Sequence, residues 1–249
     1  MTPEEIELYE VELLVEAIHK RHGYDFRHYS RASLTRRFKH RLALSQGEHL
    51  GEMLPKILHD KSFFAKLMLD LSVGTTEMFR DPHFFLALRK KVMPVLKTYP
   101  FLKIWHAGCA TGEEVYSSAI LLHEAGLLPY ANIYATDFNE KSLKLAKRGI
   151  YDLENLEKWA DNYKKCGGTA TLSDYYLAQY NSAKFHDFLG ERVIFSNHNL
   201  VGGGVFGEMH LIMCRNVLIY FDRTLQNEVL KLFRESLIHR GFLCLGEKE

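Results

Sequence analysis

Past Pro100 the chain alternates short apolar runs with amphipathic stretches, and few folds accept that pattern. Apolar runs at 102–106, 133–136, 193–195, 209–213 and 242–245 are interleaved with helical periodicities over 113–125, 140–148 and 223–238. Such alternation predicts an α/β fold: an open, mostly parallel sheet with helices on both faces. Residues 152–190 break the rhythm with Gly167-Gly168 and many tyrosines, and read as an inserted subdomain or an elaborated crossover.

The first part of the chain follows a different period. Residues 4–20 predict a helix with Ile6, Tyr9, Leu13 and Ala17 as its apolar stripe, ended by Gly23. Ser33 is placed to cap the next helix, whose buried stripe is Leu34, Phe38 and Leu42. Two more helical stretches, 47–59 and 61–71, complete a small all-helical unit over residues 1–72. Asp81-Pro82 starts another helix, aspartate as cap and proline in the first turn, with Phe85, Leu88, Val92 and Val95 or Leu96 facing inward. Residues 73–99 thus form a linker and first helix leading into a domain over 100–249.

Composition narrows the classes. The 249 residues suffice for one large domain or two small ones, and a net charge of +1 gives no general argument for nucleic acid or an anionic membrane. No run approaches the ~20 apolar residues of a membrane span and no signal-peptide pattern opens the chain, so membrane insertion is not expected. Cys109, Cys166, Cys214 and Cys244 lie far apart without a CxxC pair and read as ordinary thiols of a reducing cytoplasm. The thirteen histidines form no HxxxH or tight His/Cys cluster, so no metal is expected.

In an open α/β sheet the ligand lies beyond the C-terminal ends of the central strands. The first strand ends at His106, so 107–111 is the loop that meets it, and Ala107, Gly108, Ala110 and Gly112 permit close backbone approach. A dinucleotide fingerprint offers free amides in a GxGxxG loop, whereas this one reads GCATG followed at once by Glu113 and Glu114. Carboxylates at a helix N-terminus suit the helix dipole, repel a phosphate and attract a cation. The second strand closes with Asp137 in IYATDF, an acid suited to two ribose hydroxyls in NAD or S-adenosylmethionine alike. A ribose acid combined with acids where phosphates would lie favours S-adenosylmethionine, which carries an ammonium and no phosphate. Taken alone, Glu113 and Glu114 are equally explained as helix-start residues. An NAD-dependent enzyme is the competing reading, and it requires the phosphate loop that GCATGEE does not provide.

Four blocks, TTEMFRDPHFF at 75–85, GCATGEEVYSSA at 108–119, ATDFNEKSLKLAKRGIY at 135–151 and CRNVLIYFD at 214–222, with RVIFSNHNL at 192–200, resemble the CheR-type chemotaxis receptor methyltransferases. The similarity covers nearly the whole chain. It implies a Rossmann-like S-adenosylmethionine-dependent methyltransferase domain, an all-helical N-terminal domain and a small inserted β-subdomain. It further implies a cytoplasmic protein-glutamate O-methyltransferase that releases S-adenosyl-L-homocysteine. Carried over by motif, Thr76 and Arg80 close over the cofactor and reach the reacting centre, with Gly108 in the cofactor loop. Glu114 meets the methionine part, Asp137 the ribose, and Asn199 and Leu200 flank the adenine. Arg215 and Asn216 line the site beside Tyr220. The chain departs from the family at Gly74, where some members carry an asparagine beside the cofactor, and in the insert, which does not match members that grip a receptor tether peptide. It also stops at GFLCLGEKE, where members continue through the last strands, and so reads as a fragment.

Methyl transfer to glutamate needs no general base, because a free glutamate has a pKa of ~4.3 and is ionised at neutral pH. The site must supply alignment, worth ~7–11 kcal/mol when two reactants are fixed in attack geometry. Arg80 and Tyr220 are the residues expected to steer the substrate carboxylate, the arginine through its planar fork. The bland alternatives are a salt bridge from Arg80 to Asp81 or a nearby acid and a Tyr220 that is merely a core aromatic at a strand end. His83, His106 and His198 receive no role.

Between His19 and Arg41 lie eight Lys/Arg, four histidines and the single acid Asp25. This is either a solvated face or a docking surface, in which Arg36, Arg37 and Arg41 meet the glutamate-rich helical cytoplasmic domain of a chemoreceptor or related signalling protein. Nothing else in the chain suggests nucleic acid. A non-catalytic S-adenosylmethionine-binding regulator is the alternative from another class, against which the intact Arg80, Arg215 and Tyr220 argue.

Overall fold

The computed structural model describes residues 1–72, 76–205 and 207–249, and the chain divides into two compact units. The first comprises Met1–Val73, Asn216–Lys231 and Lys248–Glu249; the second comprises Gly74–Arg215 and Leu232–Glu247. Residues 216–231, which the sequence assigns to the sheet domain, therefore pack with the helical unit, where Tyr29 and Phe221 form an antiparallel bridge.

The first unit holds α1 (Pro3–His22), α2 (Arg31–Leu44), α3 (Met53–His59) and α4 (Lys61–Leu71), with a 3-10 turn over Leu50–Glu52. Thr2 and Glu5 close a reciprocal capping box at the start of α1, and Gly23 ends it at φ 78°. The core face of α1 is Val11, Leu14, Val15 and Ile18. This overturns the expected stripe: Ile6, Tyr9 and Leu13 are 47, 53 and 42 % exposed on the opposite side. Both rows have helical period, but the buried one is the wider, fully aliphatic stripe that a helical core requires. On α2 the expected Leu34, Phe38 and Leu42 are buried. Its N-cap is Ser30 rather than Ser33, whose hydroxyl instead accepts from Arg37 Nε at 3.2 Å.

The second unit carries strands β1 (Leu102–Ala107), β2 (Ala131–Asp137), β3 (Ile150–Asp152), β4 (Tyr176–Gln179), β5 (Ser182–Phe185), β6 (Val193–Asn197), β7 (Met209–Cys214) and β8 (Leu237–Leu245). Five of them make one sheet in the order β6-β2-β1-β7-β8, and every pairing in it is parallel. Its helices are α5 (Pro82–Ala87), α6 (Met93–Leu96), α7 (Glu113–Glu124), α8 (Glu140–Arg148), α9 (Leu156–Lys165) and α10 (Asp187–Gly190), followed by α11 (Arg223–Ser236), whose last turn it holds. Successive side chains of β1 serve opposite faces. Leu102 and Ile104 join the core that includes Val115, Ala119 and Ile120 of α7. Trp105 points the other way, edge-on to Phe233 of α11 at 5.4 Å, with its Nε1 donating to Thr136 Oγ1 at 2.8 Å. Helices thus cover both faces, as the alternation predicts.

The interruption is a second, antiparallel sheet in the order β3-β5-β4, with α9 in the connection before β4. Two local differences have clear causes. A π-helical turn over Leu88–Val92 separates α5 from α6 and resets the inward face, so Leu96 is buried while Val95 is 39 % exposed. Asp81 precedes Pro82 as expected but makes no side-chain cap, because its carboxylate is engaged elsewhere.

Candidate functional site

At the C-terminal end of β1 the backbone turns through Gly108 (φ 81°), Ala110 (φ 48°) and Gly112 (φ 93°). The amides of Gly108 and Cys109 donate to the Thr136 carbonyl at 2.8 and 2.9 Å, tying the loop to β2. The Ala110 amide donates to Asp137 Oδ2 at 2.9 Å. Three consecutive N–H groups are therefore spent inside the protein, so the loop has no nest of free amides for a pyrophosphate. Glycine at 112 is required by packing as well as by φ: a Cβ there would lie 2.8 Å from Ala146 Cβ on α8.

Asp137 ends β2 with its second oxygen, Oδ1, accepting from the Asn139 amide at 2.8 Å. Each oxygen has one N–H partner in these bonds and retains acceptor capacity for a vicinal diol. Burial pushes the Asp137 pKa above its ordinary value, and the backbone amides of Asn139, Ala110 and Phe138 pull it back in part. The His198 amide donates to the Asp137 carbonyl at 3.1 Å, which brings Asn199 and Leu200 to the same end of the sheet. Asn199 Oδ1 accepts from the Val201 amide at 3.0 Å.

The two adjacent glutamates, equivalent in the sequence, are separated by the fold. Glu114 Oε1 accepts from His106 Nδ1 and Oε2 from Arg215 Nη1, both at 3.0 Å. Burial pushes its carboxyl up, but the bonds from His106 and Arg215 outweigh this and hold it below the usual carboxylate range. Glu113 has the Thr111 hydroxyl at 2.7 Å as its side-chain partner, and burial raises its pKa to about 7. Near neutral pH Glu114 is ionised while Glu113 is poised between its two states.

Arg215 continues the charge chain. Its Nη2 donates to Asp81 Oδ2 at 2.5 Å and to the Arg80 carbonyl at 3.1 Å, and its guanidinium lies 4.1 Å from the Phe84 ring centroid. Asp81 pairs with Arg215, which also explains why Asp81 does not cap its helix. Phe79 (φ 51°) and Asp81 (φ 58°) flank Arg80 in left-handed conformations, each of order 1–3 kcal/mol. Packed bonds hold this turn: the Phe79 amide donates to Ser117 Oγ at 2.9 Å and Asn162 Nδ2 to the Met78 carbonyl at 3.3 Å. Thr76, partly exposed, lies at the start of this described segment, and the expectation at Gly74 lies outside the described residues. Cys109 is buried, and burial pushes its thiol well up, with the Asp137 carboxylate adding to the effect.

Asn216 and Tyr220 belong to the first unit. There the Tyr220 ring lies under Arg37, 5.2 Å from Cζ, and its carbonyl accepts from the Ser30 amide at 2.8 Å. Arg37 Nη1 donates to the Asp70 carbonyl at 2.8 Å, and Arg41 pairs with the Asp70 carboxylate. Two of the three arginines expected to dock a partner thus brace α2 against α4, while Arg36 is exposed.

Sequence reasoning missed His106 and Asp81. Asp81 carried a signal, but the Asp-Pro pair has a sufficient local explanation as a helix start. His106 carried none, since its partner is eight residues away across the loop. No cluster of His, Cys, Asp or Glu among the described residues is arranged to hold a metal ion, and no described helix is long and apolar enough to cross a membrane.

The geometry fits S-adenosylmethionine on its own terms: a diol-competent acid at the end of β2, an ionised carboxylate in the first turn of α7, and loop amides already spent. Comparison with known proteins agrees. Residues 10–72 match the family model of the CheR methyltransferase all-alpha domain, and residues 74–249 that of the CheR methyltransferase SAM binding domain. The Cher3 protein of Pseudomonas putida is 47 % identical over all of this chain and 91 % of its own length. An uncharacterized 104.1 kDa protein of Rhodobacter capsulatus is 29 % identical over 90 % of this chain, which spans 24 % of it. Chemotaxis protein methyltransferase 2 of Pseudomonas aeruginosa is 33 % identical over 72 % of this chain and 64 % of its own length. The chain belongs to the CheR methyltransferase family, with an N-terminal all-alpha domain and a Rossmann-like domain whose cofactor is S-adenosylmethionine.

Proposed function

We propose that this methyltransferase acts on glutamate side chains in the helical cytoplasmic domain of a chemoreceptor, within the cytoplasm. The observation that carries the reading is the state of the groups nearest the loop. Cys109 is a buried thiol with a raised pKa, His106 Nδ1 is committed to Glu114, and Glu113, although its carboxyl is raised to about 7, is buried and bonded to the Thr111 hydroxyl. An amine or hydroxyl acceptor needs a base to take its proton, whereas a carboxylate is already ionised. The names of relatives such as the Pseudomonas aeruginosa protein support chemotaxis as the setting.

In this reading Asp137 accepts the ribose hydroxyls, Glu114 meets the methionine ammonium, Asn199 and Leu200 flank the adenine, and Gly108 lets the backbone approach. The bound cofactor supplies an electrophilic methyl group on a sulfonium. Arg80, presented by the strained turn and anchored through its carbonyl by Arg215, orients one oxygen of the acceptor carboxylate and leaves the other free to attack. Thr76 closes the same segment. Charge is lost in the reaction, so excluding water lowers the barrier relative to the solvated ions.

The test is transfer of labelled methyl to receptor cytoplasmic fragments, followed by mild alkali. Label released as methanol, and at least ~100-fold slower labelling by Arg80→Ala, is the expected result for oriented attack. Alkali-stable label would refute carboxylate as acceptor. Asp137→Asn should weaken cofactor binding tenfold or more, measured by calorimetry.

A further inference from the structure

The ionised glutamate of the cofactor loop is held by a residue with no part so far, His106. The ring is fully buried on β1, level with Ala135 of β2 and Met213 of β7 in the sheet register. Neither neighbour offers it a charge. The groups facing it from α7 and the end of β7 are Glu114 and, through Glu114, Arg215. Its Nδ1 lies 3.0 Å from Glu114 Oε1, and its Nε2 has no hydrogen-bond partner among the described residues. Because Glu114 is ionised and only accepts, Nδ1 carries the proton.

Glu114 is thus gripped from two sides, one oxygen by His106 and the other by Arg215. Arginine and carboxylate prefer a two-pronged geometry, and Arg215 retains donor capacity, since its Nε is buried without a hydrogen-bond partner among the described residues. Without a competing donor, the Glu114 carboxylate would turn fully onto the guanidinium, and both oxygens would be drawn from the ligand. We infer that His106 is a positioning residue that holds Glu114 Oε1 away from Arg215, so that the carboxylate stays directed at the cationic amino-acid end of the cofactor. The inference rests on the role given to Glu114 under the proposed function. It also accounts for a fully buried histidine whose one side-chain hydrogen bond among the described residues is made to that carboxylate.

The experiment is calorimetric titration of S-adenosylmethionine and S-adenosylhomocysteine, both of which carry the amino-acid ammonium. His106→Leu keeps bulk without a donor, His106→Ser is too short to reach, and His106→Asn places an amide N–H near the Nδ1 position. Leu and Ser are expected to raise Kd for both ligands about tenfold, equal to about 1.4 kcal/mol, and Asn to stay within about threefold of the parent. Equal weakening by Leu, Ser and Asn would make the ring a space-filler and overturn the inference. So would unchanged binding in the Leu and Ser variants. Should Leu not fold, the Ser–Asn contrast decides alone. Glu114→Gln separates the layers: if it binds as the parent does, the role of Glu114 falls and His106 with it. If it weakens binding while the His106 variants do not, only the inference about His106 falls.

Discussion

Replacing Arg215 with methionine is the sharpest test of how this site is held. The Arg215 side chain is 2 % exposed and stands between Glu114 and Asp81, whose side chains are 17 and 32 % exposed. Methionine preserves apolar contact with Phe84 and removes the charge from between two carboxylates. Breaking a buried pair costs about 3–5 kcal/mol, and the partial exposure of both acids puts the expected loss near the lower end, about 3 kcal/mol at pH 7.5. The pH dependence follows from Glu114. In the parent its carboxyl lies below 4.5, because His106 and Arg215 outweigh burial. That contribution is present above the unfolded value and lost as pH falls through the folded one. In the variant the lowering by Arg215 is gone while that by His106 remains, so the folded pKa moves up and the loss grows as pH climbs. The gap between the two proteins is therefore widest near neutrality and narrows toward pH 4.5. Both tryptophans, Trp105 and Trp159, lie in the second unit, so their fluorescence in urea reports on this unit. With a slope of about 2 kcal/mol/M, the midpoint should drop by about 1.5 M at pH 7.5. A gap of the same size at both pH values would refute the electrostatic account and leave only lost packing.

Other perturbations give distinct signatures. Gly112→Ala forces a Cβ into a left-handed position against Ala146, and should cost at least about 2 kcal/mol in thermal unfolding and loosen cofactor binding. Glu113→Gln should flatten the pH dependence of stability between pH 5 and 8. The raised carboxyl, about 7 against 4.5 unfolded, favours the folded state at low pH and loses that advantage as pH rises. The variant should therefore gain on the parent by up to about 3 kcal/mol at pH 8. Arg36→Glu should weaken receptor-fragment binding and reduce its salt dependence without altering the melting temperature. Arg41→Ala should instead lower melting by destabilising the α2–α4 contact, and equal effects of the two on melting would refute that division of labour.

Where a signal is local, the sequence was sufficient. The bounds of α8 follow from Asn139, whose side chain accepts from the Lys141 and Ser142 amides, and from Gly149 at φ 60°. The parallel sheet follows from apolar runs whose two faces must both be buried, and β7 is buried along its whole length. Asp137 and the GCATGEE loop were legible because a strand end and a helix start fix where their groups point. The choice of face on α1 was not legible, since two rows share one helical period and only the neighbouring helices decide which is covered. Nor could the sequence divide the basic residues of α2, because the Asp70 groups that take Arg37 and Arg41 belong to another helix about thirty positions away. Glu113 and Glu114 look alike in the chain and differ in charge state only because folding surrounds one with His106 and Arg215 and the other with little more than a hydroxyl. The chain alone determined which elements form and which cofactor they suit. Tertiary structure decided which charges are free and which are held, because pairing depends on distances that close only when remote segments pack.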